Sequence, residues 1–146
     1  MTATAVDQIV SGCLAVRVRL IGRTVTAVYD GALEGHGLTI AQLNLLAALG
    51  KAGPCPPSML GEVLQLERST VSRNLNLLLR HGWIEAVSSD AKGMREVALT
   101  REGRAKIESV MPQWRKAQRQ AAKLLGSEGV TAVREIASSV GHLPGA

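Results

Sequence analysis

The sequence predicts a mainly α-helical α+β domain, in which a helix-turn-helix and one β-hairpin sit between long helices. Three observations lead there. Apolar residues recur at three- and four-residue spacings over residues 5–33 and again over 68–81. A short and a longer helical segment meet at a tight connection between residues 58 and 81. Two short β-type runs flank a polar, glycine-containing loop between residues 83 and 99. The length suits one domain with its own core, and 46% apolar with 20% charged residues is an ordinary globular balance.

Val6, Ile9, Val10, Cys13 and Leu14, then Leu20, Ile21, Val25 and Val28, keep a helical period on a stretch without proline, so residues 5–33 are expected to form one helix. Glu34-Gly35-His36-Gly37 ends it. Thr39 followed by Gln42 has the form of a capping box and opens a second helix, to about Lys51. Gly53-Pro54-Cys55-Pro56-Pro57 cannot be helical and gives a short β segment. A helix over 58–64, a connection at 65–67 and a helix over 68–81 closed by Gly82 follow. Residues 83–87 and 96–99 read as strands of a hairpin, a wing. Thr100 then caps a helix from 101 to about 125, which Pro112 should kink, and Gly126 and Ser127 introduce a last helix to about 140.

Seventeen Lys and Arg against twelve Asp and Glu give +5, which favours an anionic partner. No apolar run approaches the roughly 20 residues of a membrane span, and the first ten residues lack the pattern of a signal peptide, so no membrane association and a cytoplasmic location are expected. Cys13 and Cys55 stand far apart without a histidine pair, which suggests neither a disulfide framework nor a zinc site. There is no glycine-rich phosphate loop, and His36, His81 and His142 lack paired acids. No catalytic residue, cofactor or metal is expected. With Tyr29, Trp83 and Trp114 as the only aromatics, base stacking on single strands is disfavoured.

The 68–81 helix carries the chemistry. Val71, Leu75, Leu78 and Leu79 form its expected buried stripe. Arg68, Ser69, Thr70, Ser72, Arg73, Asn74 and Asn76 occupy the remaining surface, without one acid. Arginine grips guanine edges or phosphates, asparagine pairs with adenine, and hydroxyls reach either, so this surface suits a DNA major groove. A merely solvated face usually mixes both signs. The hairpin tip adds Lys92 and Arg95, beside Asp90. Helix, turn, helix and basic hairpin in that order point to a winged helix-turn-helix lobe on double-stranded DNA.

The segments GLTIAQLNLLAAL (37 to 49), RSTVSRNLNLLLRHGWIE (68 to 85) and VALTREGRAKI (97 to 107), with a wing opening at Asp90, resemble the MarR family of regulators. YDGAL (29 to 33) and MPQWRKAQ (111 to 118) resemble one branch of it. The resemblance implies a single domain over 1–146, with a winged lobe at 37–100 and dimerisation helices at 5–33 and 101–143. It further implies a homodimer on a palindromic operator, a repressor released by a small aromatic or anionic effector. The recognition surface becomes Arg68 to Asn76. The effector cleft would be lined by Arg17, Arg23, Tyr29, His36 and Trp114. In the family an Asp-x-Arg supports the wing arginine, whereas here Lys92 follows Asp90 and the nearest arginine is Arg95. Gly61 stands where the family usually has alanine. Some relatives sense oxidants through a cysteine on the first helix, but Cys13 lies on the apolar stripe and is expected to be a buried structural thiol, as is Cys55. The alternatives are a redox-sensing regulator and a winged-helix module that binds protein.

Overall fold

The computed structural model describes residues 2–88 and 95–141. In order these form α1 (Ala5–Gly12), α2 (Leu14–Leu33), α3 (Ile40–Ala52), α4 (Pro57–Leu64), α5 (Arg68–Arg80), β1 (Ile84–Ser88), β2 (Arg95–Leu99) and α6 (Arg101–Val140). The fold is a winged helix-turn-helix flanked by long helices. Among the described residues, no helix is long and apolar enough to cross a membrane.

The first expected helix is two. Cys13 leaves helical geometry at φ −64° and ψ 116°, although the apolar spacing continues across it. The Arg17 guanidinium folds back there and donates to the carbonyls of Ser11 and Cys13. A cation placed on the last carbonyls of a helix satisfies acceptors that have no partner within the helix. Periodicity cannot reveal such a break, because it reads side-chain spacing and not carbonyl partners. Cys13 is half-exposed at the elbow, not buried as expected. The start of α1 is fixed by a capping box, in which the Thr4 hydroxyl accepts from the Asp7 amide and the Asp7 carboxylate accepts from the Thr4 amide. The Thr4 hydroxyl, which donates to the Asp7 carboxylate at 2.6 Å, and then the Thr4 amide lower the Asp7 pKa.

The second capping box occurs as read, with Thr39 accepting from the Gln42 amide and Gln42 returning an acceptor to Thr39. Its helix, α3, is the centre of the lobe: Leu43, Leu45, Leu46, Ala48 and Leu49 are all buried. Packed around it are α2, α4, α5, β2 and α6. Leu33, Leu60, Val71, Leu75, Leu78, Ile84, Val97 and Val110 complete one continuous core. Leu79, expected inside, is exposed.

The hairpin pairs antiparallel from Ile84 opposite Leu99 to Ser88 opposite Arg95. Cys55 adds a bridge on the other side of β2, exchanging backbone hydrogen bonds with Val97 at 3.1 and 3.0 Å. Its thiol is buried as expected, and burial, with the negative charge of Glu96, pushes its pKa up. Thr100 caps α6 by accepting from the Gly103 amide at 3.0 Å. Pro112 stays inside α6, and the departure from helical geometry falls at Gly126, with φ 73° and ψ 165°.

Two helical glycines are small for different reasons. A Cβ on Gly103 would lie 2.0 Å from the Trp83 carbonyl oxygen, so the backbone of α6 could not approach the base of the wing. A Cβ on Gly61 would make ordinary 3.4 Å contacts with Leu66 and Val71 where α4 crosses α5. Gly103→Ala should therefore lower unfolding stability by about 2 kcal/mol or more through overpacking. Gly61→Ala should be neutral or stabilising by up to about 1 kcal/mol, from the helix preference of alanine. Urea denaturation of the two variants checks this contrast.

Candidate nucleic-acid interface

The turn between α4 and α5 is set by Gln65, which takes the left-handed conformation at φ 53° and ψ 47°. The Leu66 amide then donates to the Gly61 carbonyl at 2.9 Å. This closes α4 and aims the chain into α5 without a glycine. Val71, Leu75 and Leu78 point into the core, and at 100° per residue their burial fixes which side chains face outward. Opposite them run Ser69, Arg73, Asn76 and Arg80, at spacings of four, three and four residues, all exposed. Arg80 was missed in the sequence reading. The same helical spacing continued one turn further would have found it.

The other nominated residues fall on the flanks. Arg68 and Ser72 are exposed on one side and border an open groove of about 940 Å³ between α4 and α5, floored by Leu66, Val71 and Leu75. On the other side Thr70 is half-buried, and Asn74 does not face solvent freely. The Asn74 Oδ1 accepts from the Gln42 Nε2 at 3.3 Å. Gln42 is the buried polar side chain among the described residues, so Asn74 ties α5 to α3 and satisfies one of its donors. In this protomer Asn74 is thus engaged with Gln42 on the flank of the outward stripe.

Arg95 opens β2 and is exposed, opposite Ser88. Asp90 and Lys92 lie outside the described residues, as does His142. Beyond the wing, the start of α6 exposes Arg101 and Arg104. Lys106 is engaged differently, with its ammonium 5.1 Å from the centre of the Trp83 ring. His81 stacks on the same indole, with ring centres 4.2 Å apart and planes 8° from parallel.

The residues nominated for an effector cleft do not form one cluster within the protomer. Tyr29 donates its hydroxyl to Gln118 across the seam between α2 and α6, and burial raises its pKa. Trp114 packs against the core one turn before Gln118, and His36 is half-buried in the turn after α2. Arg17 is occupied at the α1 elbow, and twelve residues of helix put it about 18 Å from Tyr29. Arg23 is exposed between them. Among the described residues, no group of three His, Cys, Asp or Glu side chains could hold a metal ion.

Residues 36–93, from the turn before α3 to the wing, match the model of the MarR family. An uncharacterised HTH-type transcriptional regulator of Bacillus subtilis, YwoH, is 31% identical over 78 residues, which are 53% of this chain and 57% of that protein. The matched stretch thus spans little more than half of that relative's length. Among solved structures, the transcriptional regulator MosR of M. tuberculosis is 27% identical with a TM-score of 0.74, over 87% of this chain and 92% of that one. A mutant of MarR from E. coli, complexed with operator DNA, has a TM-score of 0.79 over 91% of this chain and 96% of that one. At 20% identity the latter likeness is one of fold. Its lobe is thus similar in sequence to the MarR family, and its helical arms are similar in fold to solved regulators.

Proposed function

We propose that this protein is a transcriptional regulator that binds double-stranded DNA as a homodimer, with α5 in the major groove and the wing beside it. The observation that carries the reading is the outward face of α5: Ser69, Arg73, Asn76 and Arg80 form one exposed polar stripe with two cations and no acid. Such a stripe offers a bidentate donor for guanine, an amide for adenine and two phosphate contacts. Arg68 and Ser72 widen it on the groove side. The E. coli MarR of the same fold, which carries operator DNA, supports the same assignment.

Dimerisation follows from what the protomer leaves uncovered. In α1 no residue is buried, and Val10 is 73% exposed beside Val6, Ile9 and Leu14. Leu124, Val133, Ile136 and Val140 are exposed at the far end of α6. Exposed apolar residues at both ends of one chain are what a second copy would cover. Residues 5–33 and 101–143 then act as the dimerisation region and 37–100 as the DNA-binding lobe. A small aromatic or anionic effector would act at the seam of α2 and α6, where Tyr29 and Trp114 place two half-buried aromatics near the lobe, and its binding would release the operator.

Light scattering at micromolar concentration should give about twice the 15.4 kDa chain mass, and a clean monomer would remove the basis for a two-fold operator. The face of α5 makes Arg73 and Asn74 diverge. Arg73→Ala should weaken operator binding by about 1 to 3 kcal/mol while moving stability by less than about 0.5 kcal/mol. Asn74→Ala should instead lower stability by about 1 kcal/mol, through Gln42 left without its acceptor. Denaturant melts and operator titrations of both variants separate the two roles. For the wing, Arg95→Ala should abolish any preference for A·T-rich flanks if the guanidinium enters a narrow minor groove. Equal weakening on all flanks would make Arg95 a phosphate contact.

A further inference from the structure

The end of α5 and the start of α6 are joined through Gly82 and Trp83. At the end of α5, the Trp83 amide donates to the Leu78 carbonyl at 3.1 Å and the Gly82 amide to Leu79 at 3.0 Å. The next two links go to α6: the Thr100 amide donates to the Trp83 carbonyl at 3.0 Å, and the Thr100 hydroxyl to the Gly82 carbonyl at 2.6 Å. Gly103 removes the last obstacle, since the space of its missing Cβ is taken by that same Trp83 carbonyl. The indole is contacted from three sides of the joint. His81 of the α5 cap lies flat on it, Lys106 of α6 presents its ammonium to the ring, and its edge reaches the turn at Gly37, 4.0 Å from where a Cβ would be.

We propose that Trp83 and Lys106 are positioning residues that set the angle between α5 and α6, and through it the separation of half-sites that the dimer accepts. The inference rests on the reading of the protein as a two-fold DNA binder. In such a dimer the arms are fixed to each other, so the tilt of α5 against its own α6 decides where each reading helix meets the duplex. The lever is long enough to matter. Thirteen residues of α5 span about 20 Å, so a tilt of about 10° moves its far end by about 3.4 Å, one base-pair step. A cation over an indole and a ring stacked on that indole are directional contacts, and their geometry is lost more readily than apolar contact area. Lys106 also joins the joint to the first two turns of α6, which follow the Thr100 cap, carry Gly103, and pack the half-buried Ile107 against the core.

The test uses full-length protein and a duplex that the protein itself selects from a randomised pool. Variants of this duplex lengthen or shorten the spacer between half-sites by one and two base pairs. Native protein should discriminate against a one-base-pair change by about tenfold or more. Lys106→Met, which keeps the stem and removes the ammonium, and Trp83→Phe, which shortens the platform, should reduce that discrimination to about threefold or less. Both should keep the dimer mass and the far-ultraviolet circular dichroism of the native protein. If Trp83→Phe fails to fold, Lys106→Met alone decides the matter. Folded, dimeric Lys106→Met protein with the native spacing profile would overturn the proposal, as would native protein that tolerates every spacing equally. Native protein that selects no duplex at all would overturn the DNA-binding reading, and the proposal with it.

Discussion

Burial of Val71, Leu75 and Leu78 fixes the rotation of α5 about its axis, and that rotation decides everything this helix can present to a partner. The three side chains dock on the leucines of α3 and on α4, in a core with room for only one face of the helix. Turning α5 by one residue would expose part of that stripe and bury a charge or an amide, at a cost of several kcal/mol. The polar residues of α5 are therefore sorted by the apolar ones. Ser69, Arg73, Asn76 and Arg80 point away, Arg68 and Ser72 face the groove beside α4, and Asn74 is turned inward to Gln42. What looks in sequence like a uniformly polar surface is three surfaces in three environments.

A closed lobe and an incomplete arm make up the molecule. The lobe closes its core, with Leu33 of α2 and Val110 of α6 inside it, and satisfies its polar groups: Gln42 by Thr39 and Asn74, Ile40 by the Asp30 carboxylate of α2 at 2.8 Å, and the edge of β2 by Cys55. The arm does not. In α1, the outer part of α2 and the end of α6, the apolar stripes remain exposed. In α1 the capping box and Arg17 at the elbow fix helix ends without burying a single side chain. The helices are thus specified before they have anything to pack on, as suits an element completed by a second chain.

Much of this was legible in the sequence because the strongest signals are local. The capping box at Thr39 and Gln42, the closure of α5 at Gly82 with φ 73° and the break at Gly126 appear where residue chemistry predicts them. The proline cluster interrupts the helices one residue short of expectation, because Pro57 is accepted as the first residue of α4. What escaped depends on partners distant in sequence or on groups that hydropathy does not count. The elbow at Cys13 is held by a side chain reaching back to backbone carbonyls. The partner of Asn74 lies 32 residues away. Leu79 satisfies the helical period but falls on the rim of the groove beside α4, where the core has ended. Arg17 had the composition of a ligand-binding residue, and its place on the helix put it out of reach of Tyr29.

The central claim is that two copies of α5, carried by one dimer, read two half-sites on one face of a duplex. Hydroxyl-radical footprinting on a selected operator tests this most directly, because it maps the protected backbone at single-nucleotide resolution. The expected result is two equivalent protected patches related by a two-fold axis, their centres about 34 Å or a multiple of it apart, with both lost together in the Arg73→Ala protein. A single protected patch, or two patches that survive Arg73→Ala unchanged, would contradict it.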